Sequence, residues 1–355
     1  LLIGGLLIPV FGLLMIGDGS LLEGLSVLTT ENPEKFKSMG GPTDPVPFYT
    51  IFTGMMLVQL FYWGTNQQII QRALGAKDLK EGQKGLLLAS FIKILGPIIV
   101  VLPGIIAFHL FQGNLESADS AYPMLVKKVL PTAWVGFFAA VLFGAILSSF
   151  NSVLNSSVTL FGIDVYKQHI NKEADEKTIV KYGKIFGVVL AIAAMFIAPL
   201  IANAGSLFDY LQEINGIYSI PILTIIVVGY LTKRVPAIAA KVGLASGCLL
   251  YIASQFFMQP YFVSNALKLA KDNGITDEAA LALIEAQAYP HFLDIMALLF
   301  ILNVGIMLLI GKLYPRKEEF VQEHTKQVDI TPWKYTTQAG IAICVIVIGI
   351  YIYFA

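Results

Sequence analysis

Long apolar runs constrain this chain more strongly than any other feature of its sequence. A run of roughly 20 apolar residues can cross a bilayer as a helix, which satisfies its backbone hydrogen bonds internally. We therefore predict an all-α polytopic membrane protein with about nine transmembrane helices. The nine segments lie at about 1–17, 47–71, 85–111, 133–163, 182–203, 206–231, 236–258, 290–314 and 335–355.

The composition agrees with a lipid bilayer as the main surroundings of the chain. Only 14% of the residues are charged and 56% are hydrophobic, whereas about a quarter are charged in a typical soluble domain. The formal net charge is zero, which argues against nucleic acid as a partner. Leu1 already lies in an apolar run and no signal-peptide pattern precedes it, so we expect the chain to begin partway through a longer protein.

The basic residues predict the orientation of the helices. The connections between the segments form two alternating sets. One set holds six basic residues. The other set holds 17 and comprises 72–84, 164–181, 232–241 and 312–334, counted together with Lys184 just inside the fifth segment. Because basic residues near helix ends are retained on the cytoplasmic side, this second set is predicted to face the cytoplasm. Ala355 then ends outside, in a multi-pass protein of the cell (inner) membrane. In one outer connection, residues 263–287 are predicted to form two short amphipathic helices split at Asn273-Gly274.

The fourth apolar segment is dense in hydroxyl and amide side chains. Residues 144–160 read GAILSSFNSVLNSSVTL, and from Ser148 polar residues recur at i+4, i+7 and i+11. Such a stripe on one helix face commonly joins membrane helices. The adjacent Ser148 and Ser149 cannot share one face, and hydroxyls together with backbone carbonyls suit a hard cation. From the residues alone, both a helix contact and a cation site remain open.

Lys93 is a charge inside the third apolar segment, in the stretch ASFIKILGPIIVVLPG. Charges are costly inside a bilayer, and one found there is by default a candidate for a functional site. The lysine could donate to substrate oxygens, or it could snorkel to the interface or pair with a backbone carbonyl. Pro97 and Pro103 follow, and we expect them to kink this helix.

Two further segments carry side chains that could bind a solute. Gln212 lies about two turns into the sixth segment, where its amide could bind hydroxyl groups. In the second segment, Gln59 precedes the aromatic triplet 61–63, which includes Tyr62, and Gly64 follows. The triplet forms either an interfacial aromatic belt or the wall of a midplane site beside a glycine-permitted break in the helix.

The sequence contains no motif of a soluble enzyme. There is no H-E-x-x-H pattern, no glycine-rich phosphate loop and no nucleophile elbow, and the four histidines are scattered. We therefore expect no catalytic residues, no enzymatic activity and no cofactor.

Five stretches, taken together and in this order, resemble the sodium:solute symporter family. They read FYWGTNQQIIQRALGAKDLKEGQKG, ASFIKILGPIIVVLPGI, AYPMLVKKVLP, GAILSSFNSVLNSSVTLFGIDVYK and YLQEINGIYSIP. The likeness is greatest to the sodium/glucose cotransporter branch and the bacterial sodium/galactose symporters, and it weakens after about residue 235. It implies part of a fold with two inverted five-helix repeats, the N-terminal part being absent. Residues 1–46 would be the last helix of the first repeat and an outer loop, 47–231 the second repeat, and 232–355 three peripheral helices with an outer loop.

The resemblance implies a sodium site in the fourth segment. Ala145, Ser148 and Ser149 match the positions that bind the ion in the family. They would offer the Ala145 carbonyl and the two serine hydroxyls.

The resemblance also implies a sugar site. Lys93 and Gln212 match positions that contact the sugar, and Tyr62 matches the aromatic residue that stacks on it and gates its inner exit. Gln59 stands where the galactose symporters have asparagine, which keeps the amide but lengthens the side chain. This departure leaves the identity of the sugar open.

These roles imply sodium-coupled symport of a small polar solute, a monosaccharide such as galactose or glucose, by alternating access. Sodium would be the coupling ion and not a cofactor. Within the transporters, the alternative is a symporter for inositol or a non-sugar solute. From another class, the alternative is a membrane sensor or an intramembrane enzyme, although no nucleophile–base pair or metal cluster favours an enzyme.

Overall fold

The chain is helical in the computed structural model, which describes residues 2–41, 44, 46–112, 114–115, 117–201, 207–321 and 328–355. No β-strand occurs within these ranges, which confirms the predicted all-α fold. The α-helices are α1 (Leu2–Ile16), α2 (Leu21–Glu31), α3 (Gly54–Gly64), α4 (Gln67–Leu74), α5 (Leu79–Lys93), α6 (Gly96–Phe111), α7 (Ala121–Val129), α8 (Thr132–Leu160), α9 (Glu176–Ile201), α10 (Leu207–Leu231), α11 (Ala237–Ile252), α12 (Gln259–Asp272), α13 (Glu278–Ala288), α14 (Phe292–Leu313) and α15 (Thr336–Tyr353).

The chain divides into two compact units. The first unit comprises Leu1–Ser38, Gln71–Leu207 and Val328–Ala355, and it contains α1, α2, α5 to α9 and α15. The second unit comprises Met39–Ile70 and Phe208–Gln327, and it contains α3 and α11 to α14, with α10 from Phe208 onward. The short helix α4 begins in the second unit and ends in the first.

Seven helical segments of the described residues are long and apolar enough to cross a membrane, and the chain is a multi-pass membrane protein. They are Leu79–Phe111, Thr132–Ile170, Glu176–Ile201, Tyr210–Leu231, Ala237–Asp272, Glu278–Leu313 and Thr336–Tyr353. The helices α1 and α2 qualify only as a pair bent by 79°, which would raise the number to eight. The ninth predicted segment, 47–71, is broken into shorter helices and so is not counted among these continuous spans.

The segment 47–71 is not one continuous helix. It forms a 3₁₀ turn (Phe48–Phe52), the 11-residue α3 and the start of α4. Asn66 separates the two helices, because its Oδ1 accepts the backbone N–H of Gln68 at 3.0 Å. A helix as short as α3 is about 16 Å long, roughly half of the hydrocarbon core of a bilayer.

The sharp bend between α1 and α2 depends on local backbone geometry. Asp18 and Gly19 have positive φ angles of 45° and 97°. Ser20 then caps α2 by accepting the N–H of Glu23 at 3.3 Å. A Cβ atom at Gly24 would clash with the carbonyl of Leu13, so a glycine is required where the two helices meet.

The apolar core of the first unit is enclosed by α1, α2, α6, α7 and the start of α8. Its completely buried members include Ile8, Leu28, Ile106 and Leu125. The outer helices of this unit contrast with that core, since only 6% of the most apolar stretch of α9 is buried and none of that stretch of α15. Apolar surface on this scale is stable against lipid chains and not against water.

The helix α8 is the longest of the first unit. It continues beyond Leu160 through wider helical turns to Ile170. Gly183 and Gly187 of α9 pack against Val158, which lets the two backbones approach closely. This contact holds the polar part of α8 in a fixed position within the unit.

The core of the second unit lies between α10, α11 and α14, with α3 packed on α14. Ile220, Tyr251 and Met296 are almost completely buried there. A Cβ atom at Gly216 would clash with Tyr251 and Met296, and one at Gly54 would clash with the carbonyl of Leu293. Small residues at these contacts allow membrane helices to pack closely.

The helices α12 and α13 form a hairpin between α11 and α14. Wider helical turns at Ala253–Met258 join α11 to α12. Gly274, with a φ angle of 80°, lies in the turn, and Asp277 caps α13 by accepting the N–H of Ala280 at 2.8 Å. The prediction of two short helices split at Asn273-Gly274 is confirmed.

Candidate functional site

The three residues of the predicted sodium site lie on one turn of α8. The helix is continuous there, so the Ala145 carbonyl points toward the next turn, where Ser148 and Ser149 follow at i+3 and i+4. Both serines are exposed on the surface of the first unit, and Ala145 lines an apolar cavity of about 430 Å³. The turn therefore presents two hydroxyls on either side of one carbonyl oxygen.

The hydroxyls of Ser148 and Ser149 differ in their hydrogen bonding from other hydroxyls on the same helix. Ser157 donates to the Val153 carbonyl at 2.9 Å, and Thr159 donates to the Asn155 carbonyl at 2.8 Å, which is usual for such residues within helices. Ser148 and Ser149 make no hydrogen bond to any residue that the structure describes. Their oxygens are therefore available to a ligand without the loss of an internal bond.

The inner half of the polar stripe, at Ser152 and Asn155, contacts α4. This agrees with the helix contact that the sequence left open, but sequence reasoning did not identify α4 as the partner. The guanidinium of Arg72 donates to the Ser152 hydroxyl, and the amide of Gln71 donates to the Ser152 carbonyl at 3.2 Å. Asn155 donates to the Gln71 Oε1 at 3.3 Å. In this half of α8 the polar side chains join two helices. In the sequence, only the arginine and the amide residues of GTNQQIIQR could have indicated this contact between α4 and α8.

Lys93 lies where a long span is interrupted. The helix α5 ends at Lys93 and α6 begins at Gly96, within the 33-residue segment Leu79–Phe111. Pro97 stands in the first turn of α6 and has no N–H to continue the bonds of α5, so the predicted kink at this proline is confirmed as a break. The exposed lysine side chain projects from the C-terminal end of α5, where the helix dipole favours a positive charge.

Gln59 is exposed on α3, and Tyr62, nearly one turn further on, is partly buried. The Gln59 Oε1 accepts the indole N–H of Trp63 at 2.9 Å, and the Tyr62 and Trp63 rings meet edge to face at 5.1 Å. The neighbouring face of α3 is buried through Val58 and Phe61. The helix thus presents an amide and two aromatic rings together, just before the break at Asn66.

Gln212 lies on α10, which α3 contacts. The ring of Phe61 packs edge to face against Tyr218 with centroids 5.9 Å apart. Gln212 is half-buried, six residues before Tyr218, and its amide makes no hydrogen bond within the described part of the chain. The amide is therefore free to bind a solute.

The predicted site residues are distributed over both units. Ala145, Ser148, Ser149 and Lys93 belong to the first unit, and Gln59, Tyr62 and Gln212 belong to the second. The first unit brings the three sodium residues onto one turn. The second unit brings Gln59 and Tyr62 onto one face of α3 and places Gln212 on a helix that α3 contacts.

Sequence reasoning also missed three buried polar atoms in the second unit. They are Ser219 Oγ, Tyr251 Oη and Asn303 Nδ2, and none has a hydrogen-bond partner among the described residues. The other amide atom of Asn303 accepts from Ser246 at 3.0 Å. All three occur within apolar runs, so the only indication in the sequence is a single polar residue among apolar ones.

Comparisons with known proteins identify relatives of this chain. The "Uncharacterized symporter YidK" of Escherichia coli is 44% identical over 352 residues, which are 99% of this chain and 57% of that protein. The sodium/glucose cotransporter of Vibrio parahaemolyticus is 34% identical, over 69% of this chain and 49% of its own length. The human sodium/myo-inositol cotransporter 2 is 33% identical, over 59% of this chain and 33% of its own length. The chain spans about half the length of the first two of these relatives.

A match to a protein family shows which family the chain belongs to. Residues 1–247 match the sodium:solute symporter family, and this range includes α8, the break at Lys93, α3 and α10. The resemblance found in the sequence is thereby confirmed. The chain belongs to the sodium:solute symporter family.

Proposed function

We propose that the protein is a sodium-coupled symporter of the inner cell membrane, which moves a small polar solute by alternating access. The match of residues 1–247 to the sodium:solute symporter family carries this proposal. The helical break at Lys93 and the unbonded hydroxyls on α8 support it, because interrupted helices and free oxygens line binding sites at membrane depth.

Sodium is proposed to bind at Ala145, Ser148 and Ser149. A carbonyl oxygen has two lone pairs and uses one within the helix, so the other is available beside the two hydroxyls. All three oxygens are neutral, which suits an ion that must also leave the site. A hard cation takes about six oxygen ligands, so other segments of the protein must complete its shell.

The solute is proposed to be a monosaccharide such as galactose or glucose. Amides at Gln59 and Gln212 can both donate to and accept from hydroxyl groups, and the ammonium of Lys93 can donate. The ring of Tyr62 offers an apolar face for the sugar ring. The names of the relatives favour a polyhydroxylated solute, with inositol as the alternative.

Coupling would follow from differential binding. Sodium on α8 would favour the outward-open state and raise the affinity for the solute. By linkage, the solute would raise the affinity for sodium by the same factor.

Uptake into proteoliposomes tests the proposal and separates it from a membrane sensor or an intramembrane enzyme. We expect the full-length protein to accumulate labelled galactose, glucose or myo-inositol under an inward sodium gradient and not when potassium replaces sodium. In Ser149→Ala, the half-saturating sodium concentration should rise about tenfold or more, since a bond to a charged group contributes about 1.5–3 kcal/mol.

The matched control is Ser157→Ala, because Ser157 lies on the same helix but donates to its own backbone. That variant should keep the wild-type sodium dependence. Normal sodium dependence in Ser149→Ala would remove Ser149 from the ion site. Uptake that is indifferent to sodium for every solute tested would contradict symport itself.

A further inference from the structure

The second unit contains a polar cleft that none of the roles above uses. Its volume is about 630 Å³, and it lies between the starts of α10 and α14, the α12–α13 hairpin and the segment that precedes α3. The basic-residue pattern predicts that this end of the unit faces outside the cell.

Carboxylates dominate the charge of the cleft. Asp44, Glu213, Glu285 and Asp294 all line it, and the described lining residues include no lysine or arginine. Asp44 accepts the backbone N–H of Gly41 at 2.6 Å, and this donor is uncharged. Clustered charges of one sign in a cleft attract ions of the other sign, so the cleft favours a cation.

The other titratable lining groups do not offset these charges. Tyr49 donates to the Asp294 carboxylate at 2.8 Å, and burial together with this carboxylate raises the pKa of Tyr49 to about 12. The tyrosine therefore stays a neutral donor at physiological pH. His291 accepts the backbone N–H of Leu293 through Nδ1 at 3.3 Å, and this single imidazole cannot balance four carboxylates. The cleft therefore keeps its negative charge.

Aromatic rings form part of the wall. Tyr289 stacks on Phe262 with centroids 5.8 Å apart, and its hydroxyl pairs with Ser254 Oγ at 2.8 Å, which holds the ring in place. Phe292 and Tyr49 also line the cleft. Aromatic faces attract cations, and most strongly those that shed water easily, such as alkylammonium groups.

Gln255 adds a buried polar group at the base of the cleft. Its side chain is 4% exposed yet lines the cavity, and its carbonyl oxygen has no hydrogen-bond partner among the residues that the structure describes. Its amide nitrogen makes only a long contact of 3.4 Å to Ser254 Oγ within that part of the chain. The oxygen is not among the fully enclosed atoms that lack a partner, so it opens into the cleft, where a ligand can donate a hydrogen bond to it.

The acidic groups that the structure describes are too widely spaced to hold a bare metal ion between them. In the described residues, no three acidic, histidine or cysteine side chains approach closely enough to hold a bare metal ion. We propose that the cleft binds a small organic cation with an ammonium group, which the spread carboxylates attract, the aromatic rings contact and the Gln255 oxygen accepts from. This site is separate from the proposed ion and sugar residues and does not depend on symport.

Calorimetry on the purified full-length protein in nanodiscs, at constant ionic strength and saturating sodium, tests the proposal. The probes are ethanolamine and choline as chlorides, with glycerol and glucose as neutral counterparts. We expect both ammonium compounds to bind, and Glu285→Gln to weaken them about three- to tenfold, as expected for the loss of one partly screened charge contact.

The matched control is Glu278→Gln, which removes an equal charge from the same helix but away from the cleft. It should leave both affinities unchanged. Glu285 is exposed and glutamine is a good helix former, so the variant should fold. The proposal is overturned if neither ammonium compound binds, if Glu285→Gln binds them as wild type does, or if glucose binds with the same dependence on Glu285.

Discussion

At the scale of single residues, the environment of Lys93 distinguishes two roles. Its charge lies at the C-terminal end of α5, where it stabilises the helix end, and also at a break within a membrane span, where a donor can reach a solute. The two roles predict different measurements, because a helix-end contact affects folding and a solute contact affects binding.

We expect Lys93→Ala to weaken sugar binding at saturating sodium by about tenfold or more, since hydrogen bonds to a charged group contribute about 1.5–3 kcal/mol. Calorimetry on the folded, purified variant measures this affinity directly. Lys84→Ala is the control, because Lys84 lies on the same helix and pairs with Glu81 at 2.7 Å. If Lys93→Ala melts at a lower temperature but binds sugar normally, the lysine only stabilises the end of α5.

At the scale of helices, glycines decide how closely α3 lies on α14. Gly54 at the start of α3 meets the backbone of Leu293, whereas Gly64 at its other end has open space around its Cα. A glycine-to-alanine change at each end of α3 therefore tests how closely α3 packs on α14, with the change at Gly64 as the control.

We expect Gly54→Ala to destabilise the protein by about 1–3 kcal/mol or more, because the added methyl group clashes with backbone that cannot turn away. Gly64→Ala should be neutral, or slightly stabilising through the better helix propensity of alanine. Thermal unfolding of both variants in the same detergent measures the difference. Equal melting temperatures would show that α3 does not pack on α14 as the structure has it.

At the scale of the whole molecule, the orientation in the membrane rests on the 17 basic residues of one set of connections and the six of the other. It can be tested with single cysteines introduced into a cysteine-free background of the full-length protein, in which Cys248 and Cys344 are among the residues replaced by alanine. An impermeant maleimide should label Asp272→Cys in right-side-out vesicles and label Lys77→Cys only after permeabilisation. Both positions are exposed, so access depends on the side of the membrane. The reverse pattern would invert the topology and place the acidic cleft inside.

The sequence by itself determined the all-helical membrane fold, the family and several boundaries. Apolar runs report directly on the bilayer, and the Asn273-Gly274 turn between α12 and α13 depends on residues that are neighbours in the chain. Signals of this kind are local, so they can be interpreted without knowing which helices meet.

Only the tertiary structure decided which polar groups already make hydrogen bonds within the protein and which are available to a ligand. Ser152 and Asn155 belong to the same stripe as Ser148, yet they bond to α4, whereas Ser148 bonds to none of the described residues. The acidic cleft combines carboxylates from Asp44 to Asp294, 250 positions apart in the chain. Such contacts depend on how the surfaces of distant helices fit together, and the period of apolar residues along one helix carries no information about its partners.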